Sequence, residues 1–330
     1  MGVWYSVSAV VGLLLLITLG VWGLGWTSLF ALILPYGAVV LFVVGFIQRV
    51  LRWASAPVPF HIPTVCGQQK SLPWIKASPI DSPHTTAGVV ARLALEIMLF
   101  RSLLKNETVE LQGPQRLFHR ASVFLWLGGM AFHWSFLVIL LRHLRFFLEP
   151  VPTAIVVLQR VDSILQNLLP VVYITDVVLL AALTYLFVRR ISTPQVRYIS
   201  LASDYFVILL VGAIALSGIL MRLIYNVDLF QVKGWVLSML TFRPATPQGV
   251  NLLFYIHLFF VCLLFGYFPF SKLMHMPGIF LSPTRNLMNT SRNHRHVNPW
   301  NAPVKVHTYD EYEEEFRDAM KEVGLPVEKG

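Results

Sequence analysis

Residues 257 to 275 read HLFFVCLLFGYFPFSKLMH, an apolar segment with a histidine at each end. An α-helix turns about 100° and rises about 1.5 Å per residue. Eighteen residues therefore bring a side chain back to nearly the same face, roughly 27 Å along the axis. Because this rise approaches the thickness of a hydrocarbon core, the segment predicts a membrane-spanning helix with one imidazole near each surface.

The composition of the whole chain is that of a membrane protein. Of its 330 residues, 56% are hydrophobic and only 13% are charged, whereas soluble domains have roughly a quarter charged residues. The net charge of +9 would suggest nucleic acid in a soluble protein. In a membrane protein, lysine and arginine in loops instead set the orientation, so we expect the lipid bilayer as a partner and no nucleic acid.

The hydropathy pattern predicts an all-α membrane bundle of about six transmembrane helices. Twenty of the 26 lysines and arginines would lie on one side of the membrane. We therefore expect a protein of the cytoplasmic (inner) membrane with both termini in the cytoplasm. The predicted helices span 5–23, 28–49, 117–141, 165–188, 203–225 and 251–274. The predicted domains are an N-terminal hairpin (1–50), a cytoplasmic loop (51–115), a four-helix core (116–276) and a cytoplasmic tail (277–330).

Two polar or amphipathic segments lie on the predicted cytoplasmic side. GVVARLALEIMLFRSLL, residues 88–104, places charges among leucines at roughly helical spacing, which is typical of a helix on a membrane surface or a partner. Residues 309–322 form an acidic segment. We predict that these two segments dock a cytoplasmic subunit. For the acidic segment, a solvated charged helix with no partner is an equally good interpretation.

A second histidine pair lies in RLFHRASVFLWLGGMAFHWSFL, residues 116–137. On one helix, His119 and His133 would lie within about 40° of one face and roughly 21 Å apart. In an antiparallel bundle, His119 then lies level with His275 and His133 with His257. Neutral imidazoles are good axial ligands of haem iron, so the sequence predicts two bis-imidazole haem sites. His143 lies about 80° off this face and is expected at the interface.

Other metal sites are not indicated by the sequence. The two cysteines, Cys66 and Cys262, form no CxxC or CxxCH motif, which argues against an iron–sulphur cluster, a zinc site or c-type haem on this chain. A single histidine in a membrane helix is often only hydrogen-bonded to a neighbour. Four at matched depths favour haem over two alternatives that we keep open, a transporter with structural histidines and a haem-free membrane anchor.

Residues 116–292 resemble the cytochrome b (gamma) subunit of respiratory nitrate reductases. The matching motifs are RLFHRAS, TPQVRYISLASD, VKGWVLSMLTF and the segment that ends in FPFSKLMH. The resemblance implies a NarI-like core in which four histidines bind two haem b groups, His119 with His275 and His133 with His257. The first histidine spacing is four residues longer here than in that family.

The N-terminal part carries a second resemblance. The stretch CGQQKSLPWIKASPIDSPHTTAGVVARLALEIMLFRSLLKN, residues 66–106, is similar to the DsrM family, the cytochrome b subunits of the DsrMKJOP complexes of sulphate-metabolising prokaryotes. This resemblance covers essentially the whole chain. It implies menaquinone as redox partner and a cytoplasmic iron–sulphur subunit (DsrK-like). It also implies a multihaem cytochrome c, a periplasmic ferredoxin-like protein and a second membrane subunit (DsrJ-, DsrO- and DsrP-like). The sulphur chemistry would not occur on this chain. A cytochrome b subunit of another quinol-linked reductase, of the nitrate reductase type, is the alternative.

Polar residues near the outer histidine level are candidates for quinol chemistry. LQRVDSILQN, residues 158–167, offers Arg160, Asp162 and Gln166, and an ordinary solvated helix end is the alternative. Asp176 is expected near the middle of the fourth helix, where an acid is costly and usually paired or functional. Possible partners of haem propionates are Arg120, Arg197, Arg222 and Lys272.

Overall fold

The computed structural model describes residues 2–57, 67–105, 107–112, 116–168, 171–282, 285–294, 303–304 and 306–329. Of residues 107–112 and 116–121 it describes the backbone alone. These parts of the chain form helices and one antiparallel hairpin. The elements are α1 Gly2–Thr18, α2 Leu34–Ala54, α3 Thr86–Leu99, α4 Arg101–Leu104, β1 Glu107–Gln112, β2 Arg116–Ala121, α5 Val123–His143, α6 Thr153–Asp162, α7 Ile174–Ser192, α8 Pro194–Ile199, α9 Ala202–Leu223, α10 Leu229–Leu240, α11 Leu252–Tyr267, α12 His275–Leu281 and α13 Tyr309–Glu322.

Five segments of the described chain are long and apolar enough to cross a membrane. They are Gly2–Gly23, Leu29–Ala54, Val123–Phe146, Ala202–Leu223 and Leu252–Phe270. The helix α7 has 19 residues, which gives it a length of about 28 Å, but Asp176, Arg189 and Arg190 lie within it. The predicted all-α membrane bundle is confirmed, with α7 as its most polar helix.

The helices α5, α7, α9 and α11 pack in chain order, each against the next. Leu179 and Leu183 of α7 are buried against Val211 of α9. Because α5 and α11 do not pack closely on each other, they face each other across the bundle. The end of the bundle at which α5 ends is called the outer end, in line with the orientation predicted above. The opposite end is called the inner end.

The N-terminal helices cover the α9 and α11 side of this bundle. At the inner end, the hydroxyl of Ser6 donates to the carbonyl of Ala202 at 2.6 Å. A Cβ on Gly45 of α2 would lie 2.8 Å from the Pro269 side chain, so a glycine is needed for this close approach. The helix α10 was not predicted, and it packs Val232, Trp235, Val236 and Met239 into the main apolar core at the outer end.

Several predicted helix boundaries are wrong. The third helix begins at Val123 rather than 117, because residues 116–121 form β2, in which His119 pairs with Val109. The long helix expected over 251–274 ends at Tyr267 and continues as two 3-10 turns. Pro269 lacks a backbone N–H and stops the α-helical pattern there.

The fourth helix also differs from its prediction. Residues 153–167 form α6 and a 3-10 turn, and α7 begins at Ile174 instead of 165. Asp176 therefore lies in the first turn of α7, where its carboxylate accepts the backbone N–H of Tyr173. The expectation that this acid lies near the middle of a membrane helix is wrong, since the polar residues around 162–173 end one helix before the next begins.

The loop between α2 and α5 packs against α5 and the tail. The predicted helix 88–104 is broken at Phe100, which has a left-handed φ of 45°. The indoles of Trp126 and Trp134 donate to the carbonyls of Leu99 and Met98, so α3 ends beside α5. The buried Glu96 then accepts the backbone N–H of Ser102 and the guanidinium of Arg285, which joins the loop to the start of the tail.

Candidate functional site: two pairs of imidazoles

Four histidines form two facing pairs between α5 and the α11–α12 segment. The ring centroids of His133 and His275 are 6.0 Å apart, with the planes at 88°. The centroids of His143 and His257 are 6.3 Å apart, with the planes at 16°. His133 and His143 are ten residues apart on one helix, so the pairs are separated by about 15 Å along the axis.

Each of the four rings is held in the same tautomer by its hydrogen bonds. The Nδ1 atoms of His133, His143 and His275 lie 2.7 to 2.8 Å from the carbonyls of Gly129, Ile139 and Lys272. The Nδ1 of His257 lies 3.1 Å from both the carbonyl of Ile214 and the hydroxyl of Ser217. A carbonyl oxygen can only accept, so each Nδ1 carries the proton and each neutral ring keeps a lone pair on Nε2.

The pairs fit the axial ligation of a haem iron. Two metal–imidazole bonds of about 2 Å, with about 1 Å more to each ring centre, place the centroids roughly 6 Å apart. Axial ligation does not require a fixed angle between the planes of the two rings, so both interplanar angles are compatible with this arrangement.

These pairs differ from the predicted ones. The structure brings His133 to His275 instead of His257, and it brings His257 to His143, which was expected at the interface. His119 lies in β2, before α5 begins, and its side chain lies outside the described residues. The predicted pairing assumed that ligands on one helix share a face and that residues 251–274 form one straight helix.

A glycine of α9 makes room for the outer pair. A Cβ on Gly218 would lie 3.2 Å from Cε1 of His257, which is tighter than ordinary van der Waals contact. At the inner pair, the ring of Phe100 lies 4.9 Å from that of His133. The left-handed backbone at Phe100 thus places an aromatic ring against a proposed ligand.

We expect Gly218→Val to disturb the outer pair alone, because the added side chain displaces the imidazole of His257. The absorption spectrum of the haem at the outer pair should change, or that haem should be lost, while the inner haem is retained. Gly212→Val is the matched control on the same helix, because a Cβ there meets nothing within 4 Å. Equal spectra for the two variants would contradict this role of Gly218.

A buried cluster of charges lies beside the outer pair. Arg142, which precedes His143, contacts Asp162 and Asp176, each at 3.1 Å. Arg222 contacts Asp176 at 2.8 Å. Arg142, Asp162 and Asp176 are each at most 7% exposed. The cluster therefore joins the ends of α5, α6 and α9 to the start of α7.

The polar residues proposed for quinol chemistry fall into two places. Asp162 and Asp176 belong to the buried cluster, whereas Arg160 and Gln166 line a cleft of about 290 Å³ next to it. We call this space the outer cleft. It is lined by Arg145, Val151, Val156, Gln159, Arg160, Ser163, Gln166 and Tyr173.

The candidate propionate partners are distributed over both ends. Arg222 is bound to Asp176 at the outer end, and Lys272 is bound to Asp204 at 2.8 Å near His275. Arg197 is exposed on the short helix α8. The side chain of Arg120 lies outside the described residues. A propionate role for any of the four stays a prediction.

The fold defines an integral membrane helix bundle in which two pairs of imidazoles face each other. The chain belongs to the nitrate reductase gamma subunit family, whose model matches residues 115–294. It is 43% identical over 279 residues to the Hdr-like menaquinol oxidoreductase cytochrome b-like subunit of Archaeoglobus fulgidus, covering 82% of this chain and 83% of that protein. It is 38% identical over 317 residues to the protein of the same description from Archaeoglobus profundus, covering 88% and 94%.

Proposed function

We propose that this chain is a dihaem cytochrome b that passes electrons across the membrane between menaquinol and a cytoplasmic iron–sulphur subunit. The observation that carries this proposal is the pairing of four imidazoles, each with its Nε2 free, at two levels of the bundle. His133 and His275 would be the axial ligands of the inner haem b, and His143 and His257 those of the outer one.

The haems would supply one-electron chemistry, and bis-imidazole ligation suits electron transfer because it leaves no open position for oxygen. The residues of the chain fix the geometry of that transfer. The carbonyls that accept hydrogen bonds from the Nδ1–H groups orient the rings and make them stronger ligands of iron. The apolar helices exclude water from the 15 Å between the two levels, a length set by about ten residues of α5.

The outer cleft is our proposed site for the quinol ring. The relatives are named menaquinol oxidoreductase subunits, and the cleft lies next to the charge cluster that contains Arg142, the neighbour of His143. Its volume of about 290 Å³ is at the lower limit of ligand pockets, which fits a ring with its isoprenoid tail left in the lipid. Arg160, Gln166 and Gln159 supply polar groups to orient the quinol oxygens.

Removing the arginine of this cleft should weaken quinol binding. We expect Arg160→Ala to raise KM for menadiol about tenfold, because a hydrogen bond to a charged donor is lost. The rate of haem reduction under stopped-flow measures it. Arg243→Ala is the matched control, an exposed arginine of the predicted outer side that does not line the cleft. An unchanged KM in Arg160→Ala would place the quinol elsewhere.

The relatives and the predicted cytoplasmic side of the chain support the proposed partner. The "Hdr-like" description of the two relatives supports an electron-accepting subunit similar to heterodisulphide reductase, and we propose the DsrMKJOP type of complex, with DsrK-, DsrJ-, DsrO- and DsrP-like subunits linked to sulphite reduction. With both termini in the cytoplasm, α13 presents an amphipathic face with exposed Tyr312 and Phe316. We propose α13 and the α3–α4 segment as the docking surface.

A further inference from the structure

Tyr173 lines the outer cleft, and its ring contacts two arginines of the charge cluster. The guanidinium of Arg142 lies 3.8 Å from the centroid of its ring, and that of Arg222 lies 3.9 Å from the same centroid. Two guanidinium groups do not fit side by side over one ring face at this distance, so one covers each face. The faces of Tyr173 are therefore occupied, and only its edge and hydroxyl are left to meet a ligand in the cleft.

The backbone that carries Tyr173 is fixed by the two acids of the cluster. Asp176 accepts the backbone N–H of Tyr173 at 3.4 Å. Asp162 accepts both the backbone N–H and the hydroxyl of Thr175, at 2.9 and 2.7 Å. Val171, two residues before Tyr173, has a φ of 76°, which is strained for a β-branched residue. The cluster thus holds this turn in a conformation that a free chain disfavours.

We propose that the hydroxyl of Tyr173 hydrogen-bonds one quinol oxygen, and that Arg142, Arg222, Asp162 and Asp176 are positioning residues that hold it there. This inference rests on the proposed function of the outer cleft. Buried ion pairs contribute little net stability compared with apolar packing, so a cluster of four charges around one ring is better explained by positioning. Through Arg142, the cluster also fixes the end of α5 that carries His143.

The test removes only the hydroxyl. In Tyr173→Phe the ring and both cation–π contacts remain, so the cluster and the fold are preserved. We expect KM for menadiol to rise about tenfold, as for the loss of one hydrogen bond, and the dissociation constant of menadione, measured by calorimetry in detergent, to rise equally. The haem content and the haem spectra should not change. Tyr225→Phe makes the same chemical change at an exposed position outside the cleft and should match the wild type.

The positioning residues are tested by Asp162→Asn, which keeps the size of the side chain and removes its charge. We expect menadione binding to weaken about tenfold in this variant too, with little further loss when Tyr173→Phe is added, because the acid acts through the tyrosine. Fully additive losses would overturn the positioning role of Asp162.

The proposed quinol site and the proposed role of Tyr173 are refuted by different results. A wild-type chain that does not bind menadione would refute the quinol site itself. A wild-type chain that binds menadione, with an equal affinity in Tyr173→Phe, would refute the role of Tyr173 and leave the quinol site standing. A tenfold loss in Tyr173→Phe but not in Tyr225→Phe would support both.

Discussion

His257→Ala is expected to reduce the haem b content of the purified protein from two groups per chain to one. The remaining haem would be the inner one, since His133 and His275 form a separate pair about 15 Å away. Haem reduction by menadiol should fall at least a hundredfold, because the haem nearest the outer cleft is lost. The haem count and a stopped-flow trace of haem reduction measure the two effects.

The physical reason is the loss of one of only two protein bonds to the iron. The ring of His257 is held by Ile214 and Ser217, and α11 contains no second histidine to replace it. His294→Ala is the matched control, because His294 is exposed in the tail and its loss should leave both haems. Two haems in folded His257→Ala would mean that this residue is not a ligand.

Asp176→Ala is expected to destabilise the bundle strongly. Removing this carboxylate takes from Arg222 its ion-pair partner and from Arg142 one of its two partners, in a largely buried site. Loss of one member of a buried ion pair costs about 3–5 kcal/mol, so the free energy of unfolding should fall by at least ~3 kcal/mol. Denaturant titration of the detergent-solubilised chain measures it.

Two further variants show whether unpaired charge causes this loss. Asp318→Ala changes an exposed acid of α13 and should leave the stability within about 0.5 kcal/mol of the wild type. Adding Arg222→Met to Asp176→Ala should restore part of the stability, because it removes one of the unpaired cations. A double variant less stable than either single variant would argue against an electrostatic origin.

Much of the architecture could be predicted from the sequence. Runs of apolar residues long enough to cross a bilayer predict membrane helices, and five of the six predicted ranges each overlap one of the five segments found. The sixth corresponds to α7, which carries charges at both ends. His133, His257 and His275 were identified as members of two facing pairs, and the structure places all three in such pairs.

The assignment of partners could not be reached by counting residues along ideal helices. Residues 116–121, RLFHRA, directly precede the apolar run and were assigned to its helix, but they form a strand instead, which takes His119 off α5. The turns after Tyr267 redirect the chain before His275, so the eighteen-residue spacing does not measure one helix. A ten-residue spacing between His133 and His143 was present in the sequence, but it was set aside because the two positions lie on different faces of α5.

The charge cluster was missed for a related reason. Asp162, Asp176, Arg142 and Arg222 are far apart in sequence and come together only where four helix ends meet. Tyr173 had no distinguishing pattern in the sequence. A tyrosine beside a charged helix start is common, and only the two guanidiniums over its ring mark it as unusual.

The most direct test of the proposed pairing of haem ligands is the haem b count, by pyridine haemochrome, in His143→Ala compared with His119→Ala. The pairs seen here predict one haem per chain in His143→Ala and two in His119→Ala. Two haems in His143→Ala and one in His119→Ala would contradict these pairs and restore the arrangement predicted from ideal helices.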